Sequence, residues 1–269
     1  MRCSTCDRKA VYEQHGLRLC KQHFLRYFEK KAEQTIKKHR LISRDDTVCI
    51  AASGGKDSLA VLSVTARYCR SHQIPFFALA VDEGIAGYRD HTLDDLNVFC
   101  DERGIALHVH SFKDTFGDTL DNIRGKAMKE LGKKPCTVCG IYRRSILNRQ
   151  ARELGATKLV TGHNLDDESQ SLLMNVLKGN LAHSAKLGPM TGVSEDPTLV
   201  RRVKPLYFLS EQETRLYCFL KGFQVTFSEC PHIGESFRMQ VRDRLNELES
   251  LYPGTKSSIV NGFLAILPT

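Results

Sequence analysis

The chain has 269 residues, 41% of them hydrophobic, with a formal net charge of +8. That length suits one large α/β domain with an appendage. No run of about 18 apolar residues is present, so no membrane span is expected, and the start Met1-Arg2-Cys3 lacks the apolar stretch of a secretion signal, which makes a cytoplasmic location the expectation.

The charge is unevenly placed. Residues 1–44 hold twelve Lys/Arg against four Asp/Glu, and the rest of the chain sums to zero. A second basic stretch, residues 124–158, has ten Lys/Arg and two acids, whereas residues 82–121 have ten acids and three bases. Such segregation suits a polyanionic partner such as nucleic acid, although either basic stretch alone also reads as a solvated helix face. The chain holds ten cysteines. In a cytoplasmic protein these argue for metal or redox chemistry rather than a disulfide framework.

In chain order, Cys3-Ser4-Thr5-Cys6 and then Cys20-Lys21-Gln22-His23 come first. Two Cys-x-x-ligand knuckles offer four ligands, Cys3, Cys6, Cys20 and His23, the set of a closed, tetrahedral structural zinc site. A segment this small cannot bury a core, so Zn²⁺ would supply its folding energy. Residues 24–42 read as a basic amphipathic helix with Phe24, Tyr27, Phe28, Ala32, Ile36 and Leu41 on its apolar side. The chain then divides into a zinc-binding module (1–26), a basic linker helix (27–46) and a catalytic domain (47–269) with a helical C-terminal tail.

From residue 47 the pattern alternates. A strand over 47–52 leads to a helix from Ser58 to about Tyr68, then come a strand at 76–81 and a helix near 90–102. A strand at 106–110 follows, then a helix over 143–154, a strand at 158–161 and a helix at 166–177. Alternation of this kind implies a parallel, doubly wound sheet covered on both faces. Ligands of such sheets sit beyond the carboxyl ends of the strands.

The first of those ends reads Ala52-Ser53-Gly54-Gly55-Lys56-Asp57-Ser58. A glycine turn between strand and helix aims backbone N–H groups at one spot, with the positive end of the helix dipole behind them. Lys56 adds a point charge and Ser58 a hydroxyl, so the segment is an anion cradle, best suited to a pyrophosphate. It is not a Walker A loop, which needs a further glycine upstream, where this chain has only Ile50-Ala51-Ala52. Ser-Gly-Gly-Lys-Asp-Ser resembles the PP-loop of the ATP pyrophosphatases. The resemblance implies that ATP binds here and is split between its α and β phosphates, with Lys56 and Asp57 as catalytic candidates.

Two further strand ends should converge on that pocket, Asp82-Glu83-Gly84-Ile85 and Gly162-His163-Asn164-Leu165-Asp166-Asp167-Glu168. Gly84 and Gly162 would let backbone approach the nucleotide, and Asp82, Gly162, His163, Asp166 and Asp167 join the ATP candidates. Asp166 and Asp167 are either helix caps or holders of Mg²⁺ against the ATP phosphates. His163 either packs or contacts the nucleotide.

Cys136-Thr137-Val138-Cys139-Gly140 forms a second cysteine group with no zinc partner nearby. Cys49, Cys69, Cys100 and Cys218 fit core positions. Cys230 does not: it follows an expected strand at 223–227 and precedes Pro231-His232. Cys136, Cys139 and Cys230 would make a three-thiolate set, and three thiolates on a [4Fe-4S] cluster leave one iron open for an exogenous sulfide. The same thiols also suit a persulfide carrier with a resolving thiol and no iron.

The zinc knuckles, the PP-loop, Cys-x-x-Cys-Gly followed by Arg143-Arg144, and the late Cys-Pro together resemble the TtuA group of tRNA 2-thiouridine synthetases. The TtcA 2-thiocytidine enzymes share the later motifs but typically lack the first zinc module. The resemblance implies tRNA uridine 2-thiolation: the C2 oxygen attacks the α-phosphate of ATP, pyrophosphate leaves, and sulfide on the open iron displaces AMP. Arg143, one helical turn after Cys139, could stabilise the adenylate or simply contact phosphate. The group's sulfur often comes from a ubiquitin-like thiocarboxylated carrier protein, with inorganic sulfide as the alternative, and homodimers are common in it. Relatives usually carry a second, C-terminal zinc module, and residues 259–269 hold no cysteine. The fold also leaves room for a non-catalytic tRNA-binding subunit, against which the intact Lys56, Asp57 and Ser58 argue.

Overall fold

A computed structural model describes residues 1–14, 16–123, 135–192, 199–225 and 237–266. Strands β1 (Tyr12–Gln14) and β2 (Leu17–Leu19) form an antiparallel hairpin in the cysteine-bearing N-terminal segment. Helix α1 (Lys21–Lys38) starts directly after Cys20. Its buried stripe, Phe24, Phe28, Ala32 and Ile36, recurs every fourth residue, as one helix face requires. The helix ends earlier than the apolar pattern suggested. Arg40 turns left-handed (φ 48°) and the Leu41 N–H reaches back to the Ile36 carbonyl at 2.9 Å, so Leu41 is buried just outside the helix.

The central sheet has six strands: β3 (Val48–Ala51), β4 (Phe76–Asp82), β5 (Leu107–Ser111), β6 (Lys158–Val160), β7 (Met190–Thr191) and β8 (Arg201–Val203). Their order is β5-β4-β3-β6-β8-β7, and all neighbours are parallel except the β7–β8 pair at the edge. The expected parallel sheet is therefore present with one antiparallel edge strand. The chain runs outward from β3 through β4 to β5, then crosses to β6 on the other side of β3. This reversal opens a crevice at the carboxyl ends of β3 and β6.

Helices cover both faces. Α2 (Lys56–His72), α3 (Arg89–Asp101) and, after the short α4 (Phe112–Phe116), α5 (Pro135–Glu153) follow the first strands. The second half adds α6 (Leu165–Leu177), α7 (Leu181–Ser184), α8 (Glu211–Lys221), α9 (Phe237–Leu251) and α10 (Thr255–Ile266). Strand alternation sorts the core. Val48 and Ile50 join one apolar cluster with α1, α2 and α8, whereas Cys49 packs with Leu159 and Ala151 on the α5 side. Leu19, Cys20, Phe24 and Phe28 belong to the same cluster as Leu59 and Ile50, so the N-terminal segment shares its core with the main sheet. Emptying one such position, as in Phe28→Ala, costs about 3–5 kcal/mol.

Cys49, Cys69, Cys100 and Cys218 are all buried, as their positions in the pattern required. The strand expected at 223–227 does not begin: residues 223–225 are irregular. Gly222 closes α8 in the left-handed region, and the Phe223 N–H is spent on the Cys218 carbonyl. Phe223 then packs edge-on against Phe99 and Tyr217. Among the described residues no helix is long and apolar enough to cross a membrane.

Candidate active site

The glycine turn after β3 lies at the crevice. Gly54 has φ +83°, and a Cβ there would run into the Thr92 carbonyl, so only glycine fits. Helix α2 starts at Lys56 with Gly55 as N-cap and no side-chain cap, which leaves its first-turn N–H groups facing the turn. The Ser58 hydroxyl donates to the Gly55 carbonyl at 2.8 Å and tightens the turn. Lys56 Nζ lies 2.9 Å from both the Asp57 and the Glu211 carboxylates. Burial alone would lower the Lys56 pKa, but Asp57 and Glu211 more than offset it and hold it above the usual lysine value. Burial raises the Asp57 carboxyl, with Lys56 opposing.

The end of β6 is packed against this turn. Gly162 permits a close approach, but the backbone it admits is the protein's own: a Cβ there would lie 2.7 Å from the Asp57 carbonyl oxygen. Gly84 likewise makes room for the Thr119 side chain. Asn164 caps α6 and also donates to Asp57 at 3.1 Å. Asp167 completes the capping box, and its other oxygen is 3.1 Å from Arg238. Asp166 is buried, ion-paired with Lys256, and accepts the Glu211 N–H at 2.8 Å. Its structural role is to fasten α10 and the start of α8 to the crevice. His163 shares a 2.8 Å hydrogen bond with Thr161. Desolvation within the crevice, then the charges of Lys204, Arg238, Arg202 and Arg143, push its pKa down, although the ring keeps an exposed edge.

At the end of β4, Asp82 accepts the Gly84 N–H at 2.8 Å and so shapes its own turn. Next to it lies a residue that pattern reading passed over. Arg89 is buried, and its guanidinium reaches the Ser53 carbonyl at 2.6 Å, the Val81 carbonyl at 2.5 Å and Glu83 at 3.0 Å. Glu83 in turn meets Arg143 at 3.4 Å. The signal was there to find: between Asp82 and Asp101 the sole Lys or Arg is Arg89.

Helix α5 starts eight residues before the expected 143, which places Cys136 and Cys139 one turn apart at its start. Cys136 is exposed, and Cys139 is half-buried against the cluster of Val81, Ile85, Phe112 and Ile146. Two thiols one turn apart can both serve one cluster or one sulfur relay. Cys230 lies outside the described residues, so the third thiol of the set has no place in this description.

The N-terminal ligands are gathered. Cys3, Cys6 and Cys20 Sγ lie 3.4–3.5 Å from His23 Nδ1, and Cys6 and Cys20 are 3.8 Å apart. Zn–S and Zn–N bonds in a tetrahedron demand edges of about 3.8 Å between sulfurs and about 3.6 Å from sulfur to nitrogen. The four donors fit such an ion and form the one group of this kind among the described residues. Burial would raise the Cys3 thiol, yet the N–H groups of Thr5 and Cys20 and the His23 ring bring it down to about 5. Cys6 is raised despite the Arg8 N–H, through burial and the neighbouring thiols.

Comparison with known proteins agrees with this geometry. The PP-loop domain family matches residues 24–246. The tRNA 2-thiolation protein NcsA of Haloferax volcanii is 35% identical, with 98% of this chain and 86% of that protein aligned. The tRNA-5-methyluridine(54) 2-sulfurtransferase of Pyrococcus horikoshii is 34% identical over 98% of this chain and 82% of its own length. Among solved structures, the U34-tRNA thiolase NcsA from Methanococcus maripaludis, determined with its [4Fe-4S] cluster, superposes with a TM-score of 0.86. It is 35% identical and covers 99% of this chain and 88% of its own.

Proposed function

Because the chain belongs to the PP-loop family of tRNA 2-thiolation enzymes, we propose that it replaces the C2 oxygen of a tRNA uridine by sulfur at the cost of ATP. One observation carries the reading: an unbroken set of contacts joins the phosphate loop to the thiol-bearing helix. The Ser53 carbonyl is bound by Arg89, Arg89 by Glu83, and Glu83 by Arg143, one turn beyond Cys139. These contacts support a reading in which nucleotide chemistry and sulfur chemistry share one crevice.

In the first step the uridine C2 oxygen attacks the α-phosphate and pyrophosphate leaves. The first-turn N–H groups of α2 and Lys56 would stabilise the developing charge, with ATP taking the place of Glu211 on the lysine. Asp57 and Asp167 would face the Mg²⁺ that accompanies ATP. In the second step a sulfide equivalent forms the C2–S bond, the C2–O bond breaks, and AMP leaves. Cys136 and Cys139, with Cys230, would hold a [4Fe-4S] cluster, which when bound supplies an open iron for the sulfur donor. Arg143 would steady the adenylate. Cys3, Cys6, Cys20 and His23 would hold a structural Zn²⁺. The parts 1–26, 27–46 and 47–269 then divide the work into metal-braced platform, basic linker and catalytic unit. A ubiquitin-like thiocarboxylated protein or inorganic sulfide would supply the sulfur to a homodimer in the cytoplasm, where ATP and tRNA coexist.

The test is anaerobic. Protein reconstituted with iron is incubated with ATP, sulfide and an unmodified tRNA transcript, and the nucleosides are analysed by mass spectrometry alongside labelled pyrophosphate. The expected result is 2-thiouridine matched by pyrophosphate. Absence of both from the cluster-loaded protein would favour a tRNA-binding subunit without catalysis.

A further inference from the structure

The crevice carries two arginines that the reaction above leaves unused. Arg202 is half-buried on β8, in register with Leu159 of β6. Leu159 and Val200, two residues before Arg202, pack with Leu147 and Ala151 of α5 and with Leu154 just beyond it. Arg202 therefore lies on the sheet face that α5 covers. Arg144 extends the same stripe of α5, three residues before Leu147 and seven before Ala151, toward the crevice. Asn148 fixes the two elements to each other by accepting the Val200 N–H at 2.8 Å.

The neighbouring cations all have carboxylate partners. Arg143 has Glu83 at 3.4 Å, Lys204 has Glu168 at 2.7 Å and Arg238 has Asp167 at 3.1 Å. Arg144 and Arg202 have neither an ion pair nor a hydrogen bond among the described residues. Burial first, then the Arg144 charge, depresses the Arg202 pKa. Two like charges facing each other, one of them desolvated, are costly without an anion between them. Gly140, on the turn of the cysteine pair, completes the arrangement: a Cβ there would lie 3.2 Å from Arg144 Nη1, so glycine leaves the guanidinium its room.

The anion is not the pyrophosphate of ATP. That cradle follows β3, and β6 with His163 stands between β3 and β8, so the two sites are separated by at least two strand spacings. Paired guanidiniums match a phosphodiester oxygen pair, which positions a strand without reading its sequence. We propose that Arg144 and Arg202 clamp a backbone phosphate of the RNA strand bearing the target uridine, so that the base enters between this clamp and the phosphate loop. The inference rests on the tRNA-thiolation reading.

The test uses the full-length protein and an unmodified tRNA transcript, with binding followed by fluorescence anisotropy from 50 to 300 mM KCl (about a sixfold span in counterion activity). For the double variant R144Q/R202Q, the slope of log K against log salt is expected to shrink by about 0.7–0.9, the loss of one phosphate contact. ATP affinity, measured calorimetrically without RNA, is expected to stay within about twofold, since the clamp is apart from the cradle. An unchanged slope with normal wild-type binding overturns the clamp alone, and so does a fall in ATP affinity at constant slope. No tRNA binding by the wild type overturns the thiolation reading and the clamp with it. Should R202Q fail to fold, R144Q, at an exposed helix position, still reports the slope and must lower it.

Discussion

The two cysteine groups use the same side chain for opposite ends. The N-terminal four stand at the corners of a closed tetrahedron, their scaffold merged with the main core through Leu19, Cys20 and Phe24. Cys136 and Cys139 stand one turn apart at the start of one helix, one exposed and one half-buried, at the edge of a crevice. Closure makes a metal a fold element with no position left for chemistry. An open, one-sided set leaves a coordination position for a reactant.

Substitutions can break or sharpen that contrast. Cys3→Ser is expected to do the most damage, because a zinc held by the four ligands would contribute roughly 10 kcal/mol to the segment. It should lose zinc by elemental analysis and melt early, and stoichiometric zinc in that variant would erase the distinction. Arg89→Met should follow, at about 3–5 kcal/mol, since it strands Glu83 as a buried, half-paired charge. A urea titration measures this, and a loss below about 1 kcal/mol would remove Arg89 as the joint between loop and cysteine helix. Cys139→Ala should lower thiolation by about a hundredfold, close to 2.7 kcal/mol in the barrier, while zinc content and melting stay near wild type. Thiolation at full rate would show that Cys139 only packs.

The smallest effect concerns acid. Glu211 is pushed up by burial but pulled further down by Lys56, so its folded pKa lies below the usual value. A depressed carboxyl contributes stability that is complete above its unfolded pKa, near 4.3, and is lost as pH falls through the folded pKa. Glu211→Gln should flatten that acid limb by about 1 kcal/mol or less, because the side chain is one-third exposed and screened. An identical acid limb in the variant would show that the pair with Lys56 adds nothing.

Much of this was readable before any coordinates. The phosphate loop, the two knuckles and the alternating strands rest on local chemistry: glycine where φ is positive, ligands at metal spacing, apolar runs of strand length. What escaped was set by distant partners. Nothing near Arg89 in the chain announces that its guanidinium turns back to Ser53. The contacts of Asp166 to Lys256 and the Glu211 N–H were not legible either, because both partners lie far along the chain. The edge strand β7 and its neighbour β8 are two and three residues long, too short for a period to show. The expected strand after Gly222 failed because a helix-closing bond claimed the Phe223 N–H.

The first turn of α8 has a consequence for how the molecule holds its aim. Glu211 reaches Lys56 at 2.9 Å, and Glu213, two residues on, takes Tyr12 at 3.0 Å, Tyr27 at 2.9 Å and Lys31 at 3.2 Å. One side of that turn steadies the ammonium of the phosphate loop, and the other is bolted to the hairpin and linker helix. The N-terminal hairpin and α1 are therefore a buttress for the phosphate loop, and their firmness is transmitted to Lys56 across less than one turn of helix.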